Sequence, residues 1–203
     1  MHPVRALRPP LPPKSNLFWK GNEVMRTFKT RKSALIIFIL CLCLFLAACA
    51  KKEETAPLKV GDDARDFTAT LMDGSTFQLS EQQGRAVLLN FWATWCGPCV
   101  AELPAFSRLT EAYGDRIALL AVNCGEDEQT VKSFLEKNGY TFPVALDLEG
   151  KIAELYPTDG IPYTLILSAD GKVSSIQLGA GDADSMFTHY SAELDKALQQ
   201  TAG

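Results

Sequence analysis

The stretch Phe91–Cys99, FWATWCGPC, places two cysteines three positions apart directly behind a run of apolar residues. That run begins at Arg85 and has the near-continuous hydrophobicity of a strand buried on both faces of a sheet. We predict that a helix begins around the cysteine pair and ends near Tyr113. Cys96 and Cys99 then both lie in the first turn of this helix.

The cysteine pair has the arrangement of a redox centre. At a helix N-terminus, free N–H groups and the positive end of the helix dipole stabilise a thiolate, which makes Cys96 the attacking nucleophile. Cys99, one turn further in, attacks the mixed disulfide and releases the reduced partner. Pro98 suits the first turn because its missing N–H needs no partner there. Trp92 and Trp95 are expected to shield the pair and to form an apolar docking surface.

A metal clip and a purely structural disulfide are the alternatives for this pair. A structural metal site needs about four ligands, whereas the chain has no second CxxC pair and one histidine after the leader, His189. A structural disulfide that closes so short a loop gains little chain entropy. We therefore expect no metal and no cofactor, and we interpret the pair as redox-active. The direction of electron flow stays open.

The charge of the chain is distributed unevenly. Eight Lys/Arg and one Asp/Glu precede Cys49, whereas twelve Lys/Arg and twenty-three Asp/Glu lie from Cys49 onward. A basic head on an acidic body is typical of a targeting leader followed by a folded domain. The acidic body argues against a nucleic-acid partner, because such a partner requires cationic patches.

The basic head has the order of a secretory signal. A basic segment, Arg26–Lys32, precedes an unbroken apolar run, Ala34–Ala48. As a helix this run spans roughly 22 Å, short of the ~30 Å hydrocarbon core. A signal peptide fits better than a transmembrane helix, with Met25 as the expected start. The run ends in Leu46-Ala47-Ala48-Cys49, which resembles a bacterial lipobox, and an ordinary signal peptide or an uncleaved anchor is the alternative.

The lipobox interpretation divides the chain into a leader (1–48), a lipidated N-terminus with a polar linker (49–59) and a folded domain (60–203). Lipid on Cys49 anchors the domain to a membrane outside the cytoplasm, where disulfides persist. An aspartate after the lipidated cysteine favours the inner membrane; Ala50 stands there, so the choice between inner and outer membrane stays open. The folded domain keeps one further cysteine, Cys124, which is either a buried inert thiol or a third redox cysteine.

The folded domain alternates between predicted strands and helices, which indicates an α/β fold. The element order predicts a central mixed β-sheet with helices on both faces and an N-terminal β-hairpin extension. Right-handed crossovers place the strand before the cysteine pair in the centre. The predicted strands are 67–71, 76–79, 85–92, 116–123, 142–146, 163–167 and 173–178, and the predicted helices after the first are 127–138, 151–156 and 184–199.

Several motifs together resemble the TlpA/ResA-like thiol–disulfide oxidoreductases, members of the thioredoxin superfamily of the AhpC/TSA-redoxin type. The resemblance covers roughly residues 60–198, although Arg65 stands where that family usually has proline. The motifs are Trp95-Cys96-Gly97-Pro98-Cys99 with Asn90 before it and Glu102 after it, the opening Gly61-Asp62 with Asp66-Phe67, and Gly160-Ile161-Pro162-Tyr163-Thr164 followed by Asp170-Gly171.

The resemblance implies a thioredoxin-like fold in which Pro162 is cis and lies beside the cysteine pair. The backbone of Ile161 would then pair with an extended substrate chain. A trans proline at the end of a loop is the alternative. In the oxidised enzyme Cys96 and Cys99 form the disulfide, and the substrate contacts are expected from Trp95, Gly97, Pro98, Ile161 and Pro162.

Glu102 is the acidic residue that the resemblance adds to the site. At i+3 from Cys99 it lies on the same helix face. Partly buried, it would have a raised pKa and could exchange a proton with Cys99. A solvated helix carboxylate is the alternative. Asn90 replaces the buried acid of classical thioredoxins and cannot accept a proton.

The function implied is the reduction of protein disulfides outside the cytoplasm. By the same resemblance, electrons come from a CcdA/DsbD-type membrane donor, and apocytochrome c is a frequent substrate in cytochrome c maturation. A disulfide oxidase or isomerase is the first rival. A thiol peroxidase is the second, although Thr94 precedes Cys96 by two residues and the proline of peroxidase sites is missing. A copper chaperone of the Sco type would need CxxxC spacing.

Overall fold

A computed structural model describes residues 56–200 of the chain. The chain divides into two units, Met1–Glu53 and Glu54–Gly203, and the described residues lie within the second. The predicted signal peptide, the lipobox and Cys49 lie outside the described residues. Between residues 56 and 200, no helix is long and apolar enough to cross a membrane.

The strands are β1 (Thr68–Thr70), β2 (Thr76–Gln78), β3 (Ala86–Trp92), β4 (Ile117–Cys124), β5 (Val144–Asp147), β6 (Tyr163–Leu167) and β7 (Val173–Leu178), and the helices are α1 (Gly97–Tyr113), α2 (Glu128–Asn138) and α3 (Ala183–Gln199). The central sheet has five strands in the order β5-β4-β3-β6-β7, with β3 in the middle. β3 pairs in parallel with β4 and antiparallel with β6; β5 is parallel to β4, and β7 is antiparallel to β6. The mixed sheet, the central position of β3 and the N-terminal hairpin of β1 and β2 confirm the predicted architecture.

Strand β3 is central because both of its faces are apolar. All seven of its residues are buried. Leu88 and Trp92 point into one core cluster, whereas Leu89 and Phe91 point into a second cluster on the other face of the sheet. A strand of this composition is stable only between two covered faces and two neighbouring strands.

The three α-helices supply buried residues to the same core cluster, which lies on the face that contains Leu88: Leu103 of α1, Val131 of α2 and Leu194 of α3. The other face is covered by the hairpin through Phe67 and Phe77. The 3-10 turns Leu79–Gln82 and Ala153–Leu155 lie on this face as well, so the predicted flanking of the sheet by helices is confirmed, with all three α-helices on one face. Two successive right-handed crossovers in the same direction, from β3 to β4 and from β4 to β5, place α1 and α2 on one side.

The predicted helix 151–156 is a single 3-10 turn, Ala153–Leu155. The buried carboxylate of Asp147 accepts the backbone N–H groups of Ile152 at 3.1 Å and of Ala153 at 2.8 Å. These bonds cap the N–H groups at the start of the turn. The turn ends at Tyr156 because Pro157 follows, and a residue before proline disfavours the helical backbone. The turn packs against the hairpin side of the sheet.

One edge of the sheet collects the ends of several elements. The carboxyl end of β3 lies beside that of β4, with Trp92 opposite Asn123, and beside the amino end of β6, with Phe91 opposite Tyr163. The cysteine pair after β3, Cys124 at the end of β4 and Pro162 before β6 therefore lie at the same edge.

Candidate active site

Helix α1 begins directly after Cys96, which is its N-cap residue. The sulfur of Cys96 accepts the backbone N–H of Cys99 at 3.3 Å, and Pro98 occupies the first turn. Cys96 and Cys99 are joined by a disulfide, with their Cα atoms 5.2 Å apart. The first cysteine therefore lies where free N–H groups and the helix dipole favour negative charge.

The two cysteines differ in their access to solvent. Cys96 keeps 6% of its surface exposed, whereas Cys99 is fully buried. Next to them the side chain of Trp95 is 71% exposed, which is unusual for a large aromatic residue. A partner protein that docks on Trp95 reaches Cys96 before Cys99.

The loop before β6 contacts the first cysteine. The peptide bond between Ile161 and Pro162 is cis, which confirms that expectation and rejects the trans alternative. The carbonyl oxygen of Ile161 lies 3.8 Å from the sulfur of Cys96. A groove of about 660 Å³ borders this loop and is lined in part by Tyr163 and Leu178, which face each other on β6 and β7.

Glu102 is fully buried, so it is not a solvated helix carboxylate and is more deeply buried than expected. Its Oε1 accepts the side-chain amide of Asn90 at 3.0 Å, and its Oε2 accepts the hydroxyl of Tyr190 at 2.8 Å. Asn90 and Tyr190 also contact the hydroxyl of Thr164, at 2.9 and 3.0 Å. Asn90 comes from β3, Thr164 from β6 and Tyr190 from α3.

The environment of Glu102 raises the pKa of its carboxyl from 4.5 to about 7. Burial is the main cause, because it disfavours the charged form. The hydrogen bonds from Tyr190 and Asn90 act in the opposite direction. A carboxyl with a pKa near neutrality can both accept and release a proton under ordinary conditions.

Cys124 lies at the same sheet edge but packs on the hairpin side of the sheet, whereas Cys96 and Cys99 belong to the core cluster on the helical side. Burial, and then the charge of Asp147, raise the pKa of the Cys124 thiol to about 11. A thiol with so high a pKa is a poor nucleophile at neutral pH. The structure favours the interpretation of Cys124 as an inert thiol.

Sequence reasoning missed a contact that fixes the loop before the cysteines. The carboxylate of Glu126, in the loop after β4, accepts the backbone N–H of Thr94 at 2.7 Å and also its hydroxyl. It accepts the side-chain amide of the buried Asn123 at 2.8 Å as well. The sequence signal for this contact was an acidic residue, Glu126, just after a predicted buried strand. The signal does not identify the partner, because Thr94 lies 32 positions away in the sequence.

A second cavity and the question of a metal site concern other parts of the described chain. A smaller cavity of about 180 Å³ opens at the opposite edge of the sheet, between Arg85 and Asp170. Within the part of the chain that the structure describes, no three side chains of His, Cys, Asp or Glu come together as a metal site would need.

Residues 60–176 match the family described as AhpC/TSA. The chain belongs to the AhpC/TSA family. A curated relative, the thiol-disulfide oxidoreductase ResA of Oceanobacillus iheyensis, is 32% identical over 160 residues, which cover 76% of this chain and 83% of that protein. This similarity confirms the predicted kinship with ResA-like proteins. The chain is a thiol–disulfide oxidoreductase, and its substrates carry disulfides.

Solved structures agree with this assignment to the family. StoA from Bacillus subtilis superimposes with a TM-score of 0.54 and 28% identity, over 62% of this chain and 96% of that chain. The pneumococcal exposed lipoprotein thioredoxin Etrx1 from Streptococcus pneumoniae strain TIGR4 gives a TM-score of 0.55 and 28% identity, over 63% of this chain and 99% of that chain. The expected thioredoxin-like fold is confirmed.

The buried Glu102 predicts how stability depends on pH. In the folded, oxidised protein its pKa is about 7, against 4.5 for an ordinary glutamate. Between these values the folded state binds one proton more than the unfolded state, so the free energy of unfolding falls as pH rises, by about 1.4 kcal/mol per pH unit and about 3 kcal/mol in total. Glu102→Gln should lack this loss.

Chemical denaturation of the oxidised protein over this pH range measures the effect. The control is Glu111→Gln, which removes an exposed carboxylate from the same helix and should keep the wild-type pH dependence. An unchanged slope in Glu102→Gln would show that Glu102 does not titrate near neutrality.

Proposed function

We propose that the protein is a membrane-tethered, extracytoplasmic reductase of disulfides in partner proteins. The observation that carries this proposal is the cysteine pair at the start of α1, with Cys96 still 6% exposed, Cys99 fully buried and Glu102 buried one turn further along. This order of accessible sulfur, buried sulfur and buried carboxyl matches the successive steps of thiol–disulfide exchange.

In the first step the thiolate of Cys96 attacks one sulfur of the partner's disulfide, and a mixed disulfide between Cys96 and the partner forms. The partner's own S–S bond breaks, and its other sulfur leaves as a thiolate that takes up a proton. The N–H of Cys99, which already lies 3.3 Å from the sulfur of Cys96, and the N-terminus of α1 favour that thiolate. Trp95, Gly97 and Pro98, which are exposed and lie next to Cys96 in the sequence, supply the docking contacts. The carbonyl of Ile161, 3.8 Å from the same sulfur, and the cis Pro162 provide a backbone edge for an extended partner chain.

In the second step Cys99 resolves the mixed disulfide. Glu102 accepts the proton of the Cys99 thiol, and the resulting thiolate attacks the sulfur of Cys96. The bond between Cys96 and the partner breaks, the partner leaves as a thiol after taking up a proton, and Cys96–Cys99 is left as the disulfide. A membrane electron donor of the CcdA/DsbD type then returns two electrons to the pair.

The lipobox that ends in Cys49 supports a lipid anchor on the outside of a membrane. A solved relative with 28% identity is described as an exposed lipoprotein, which agrees with this location. The polar linker after Cys49 would let the domain reach partner proteins near the membrane. Apocytochrome c, whose cysteines must be reduced before haem is attached, is the substrate that the ResA-like motifs favour.

The reduction potential of the Cys96–Cys99 pair tests the direction of electron flow. We expect a value near the roughly −270 mV of thioredoxin, far below the roughly −120 mV of the oxidase DsbA. The potential is measured by equilibrating the protein in thiol redox buffers and counting the free thiols. In the Cys124→Ser variant, Cys96 and Cys99 are the remaining cysteines of the folded domain, so the counted thiols there come from this pair. This variant should give the same reduction potential. A potential near that of DsbA contradicts the reductase proposal.

A resolving-cysteine variant identifies the substrate. Cys99→Ser leaves Cys96 able to attack but removes the sulfur that releases the partner, so mixed disulfides should accumulate in cells and be recovered with the protein. Mass spectrometry of the trapped partners distinguishes apocytochromes from a broad set of secreted proteins. The double variant Cys96→Ser/Cys99→Ser should trap nothing. Trapping by the double variant at the same level would show that Cys96 is not the attacking cysteine.

The anchor is tested by removing its attachment site. In Cys49→Ser no thiol is available for lipid, so the protein should move from the membrane fraction to the soluble extracytoplasmic fraction and lose the mass of the lipid. Cys43→Ser, inside the apolar run, is the matched control and should stay in the membrane fraction. Membrane retention and an unchanged mass in Cys49→Ser would reject the lipoprotein proposal.

A further inference from the structure

Four polar side chains from four elements form a closed ring in the core. They are Glu102 of α1, Asn90 of β3, Thr164 of β6 and Tyr190 of α3, and none is more than 1% exposed. The four contacts run from Glu102 to Asn90 (3.0 Å), from Asn90 to Thr164 (2.9 Å), from Thr164 to Tyr190 (3.0 Å) and from Tyr190 back to Glu102 (2.8 Å).

The number of hydrogens in this ring matches only one protonation state of Glu102. The amide of Asn90 has two hydrogens, and the hydroxyls of Thr164 and Tyr190 have one each, which gives four donors for four contacts. With Glu102 ionised, Asn90 donates to Glu102 and Thr164, Thr164 donates to Tyr190, and Tyr190 donates to Glu102. Every hydrogen in the ring then has an acceptor.

A proton on Glu102 breaks this match. If the Glu102 proton points toward the oxygen of Tyr190, the Tyr190 hydroxyl must donate to Thr164 instead of to Glu102. The hydroxyl hydrogen of Thr164 then has no acceptor within the ring. The buried Oδ1 of Asn90 has no hydrogen-bond partner and could accept it only if the amide rotates. That rotation removes both amide hydrogens from the ring and leaves one of the four contacts without a hydrogen.

We propose that Tyr190, together with Thr164 and Asn90, is a positioning residue that holds Glu102 in the ionised form needed to accept the proton of Cys99. This inference rests on the proposed role of Glu102 in thiol–disulfide exchange and extends it to residues that touch neither cysteine nor substrate. Burial alone would keep Glu102 protonated at neutral pH. The donors of the ring oppose burial and keep a usable fraction of Glu102 ionised.

The groups that face Glu102 come from each element packed around it. Its own helix contributes Cys99 one turn earlier, and α3 contributes Tyr190; β3 and β6 contribute the neutral Asn90 and Thr164. Burial and the neighbouring Glu102 raise the pKa of Tyr190 well above its usual range, so this hydroxyl stays a donor. His189, which precedes Tyr190 on α3, interacts electrostatically with Glu193.

The test is the titration of Glu102 in the full-length, oxidised protein, followed by NMR of glutamate labelled with ¹³C at the carboxyl group. Tyr190→Phe keeps the aromatic ring but removes one donor to the carboxylate. We expect the pH of half-protonation to rise by about one to two pH units, since a hydrogen bond to a charged group is lost. In the reduced protein, the pH profile for resolution of the mixed disulfide should move upward by the same amount.

Tyr113→Phe is the matched control. The hydroxyl of Tyr113 also joins α1 to α3, through the carbonyl of Ser191 and the carboxylate of Asp195, both at 3.0 Å, but it does not touch the ring. This variant should leave the Glu102 titration unchanged. If both variants move the titration equally, general packing between the helices sets it, and the proposal is wrong.

A second pair of variants covers the case in which Tyr190→Phe does not fold. Thr164→Val removes the hydroxyl that joins Asn90 to Tyr190 and should also raise the pH of half-protonation, whereas Thr164→Ser keeps the hydroxyl and should restore the wild-type titration. An unchanged titration in Tyr190→Phe, or in Thr164→Val when only that variant folds, overturns the proposal. The titration needs no activity, so its failure is distinguishable from that of the reductase proposal, which the reduction potential decides.

Discussion

The pairing of β3 on both of its edges is the constraint on which the site depends. Parallel pairing with β4 and antiparallel pairing with β6 bring the end of one strand beside the start of another that follows more than seventy residues later, with Phe91 opposite Tyr163. Because of this register, the Ile161 carbonyl contacts the sulfur of Cys96. The same pairing places Asn90 opposite Thr164, inside the core beneath the cysteines.

The buried carboxyl of Glu102 is costly to ionise, because a charge inside the core loses its hydration. The protein offsets part of that cost with the hydrogen bonds from Asn90 and Tyr190, and the balance brings the pKa of Glu102 to about 7. A smaller offset would leave the carboxyl always protonated, and a larger one would leave it always charged. Neither extreme would suit the proton exchange with Cys99 that we propose for Glu102.

Most of the fold could be predicted because its signals are local. The apolar run into Trp92, the cysteine at the helix start and the Asp-Gly turns each mark an element within a few residues of its observed bounds. One feature of the fold has a non-local cause, because the face that a helix covers depends on the direction of successive crossovers. The helix predicted over 151–156 was too long for a local reason: Asp147 caps its first N–H groups from five and six positions away, and Pro157 directly follows Tyr156.

The sequence by itself determined that a thiol–disulfide centre follows a central strand, because two cysteines three positions apart at a helix start have few other uses. The tertiary structure decided what surrounds that centre. Glu126 holds the loop at Thr94, and Tyr190 and Thr164 complete the ring around Glu102. These contacts join residues between 26 and 88 positions apart, so no local pattern contains them. They exist because the sheet and its helices bury polar groups together, where each must find a partner.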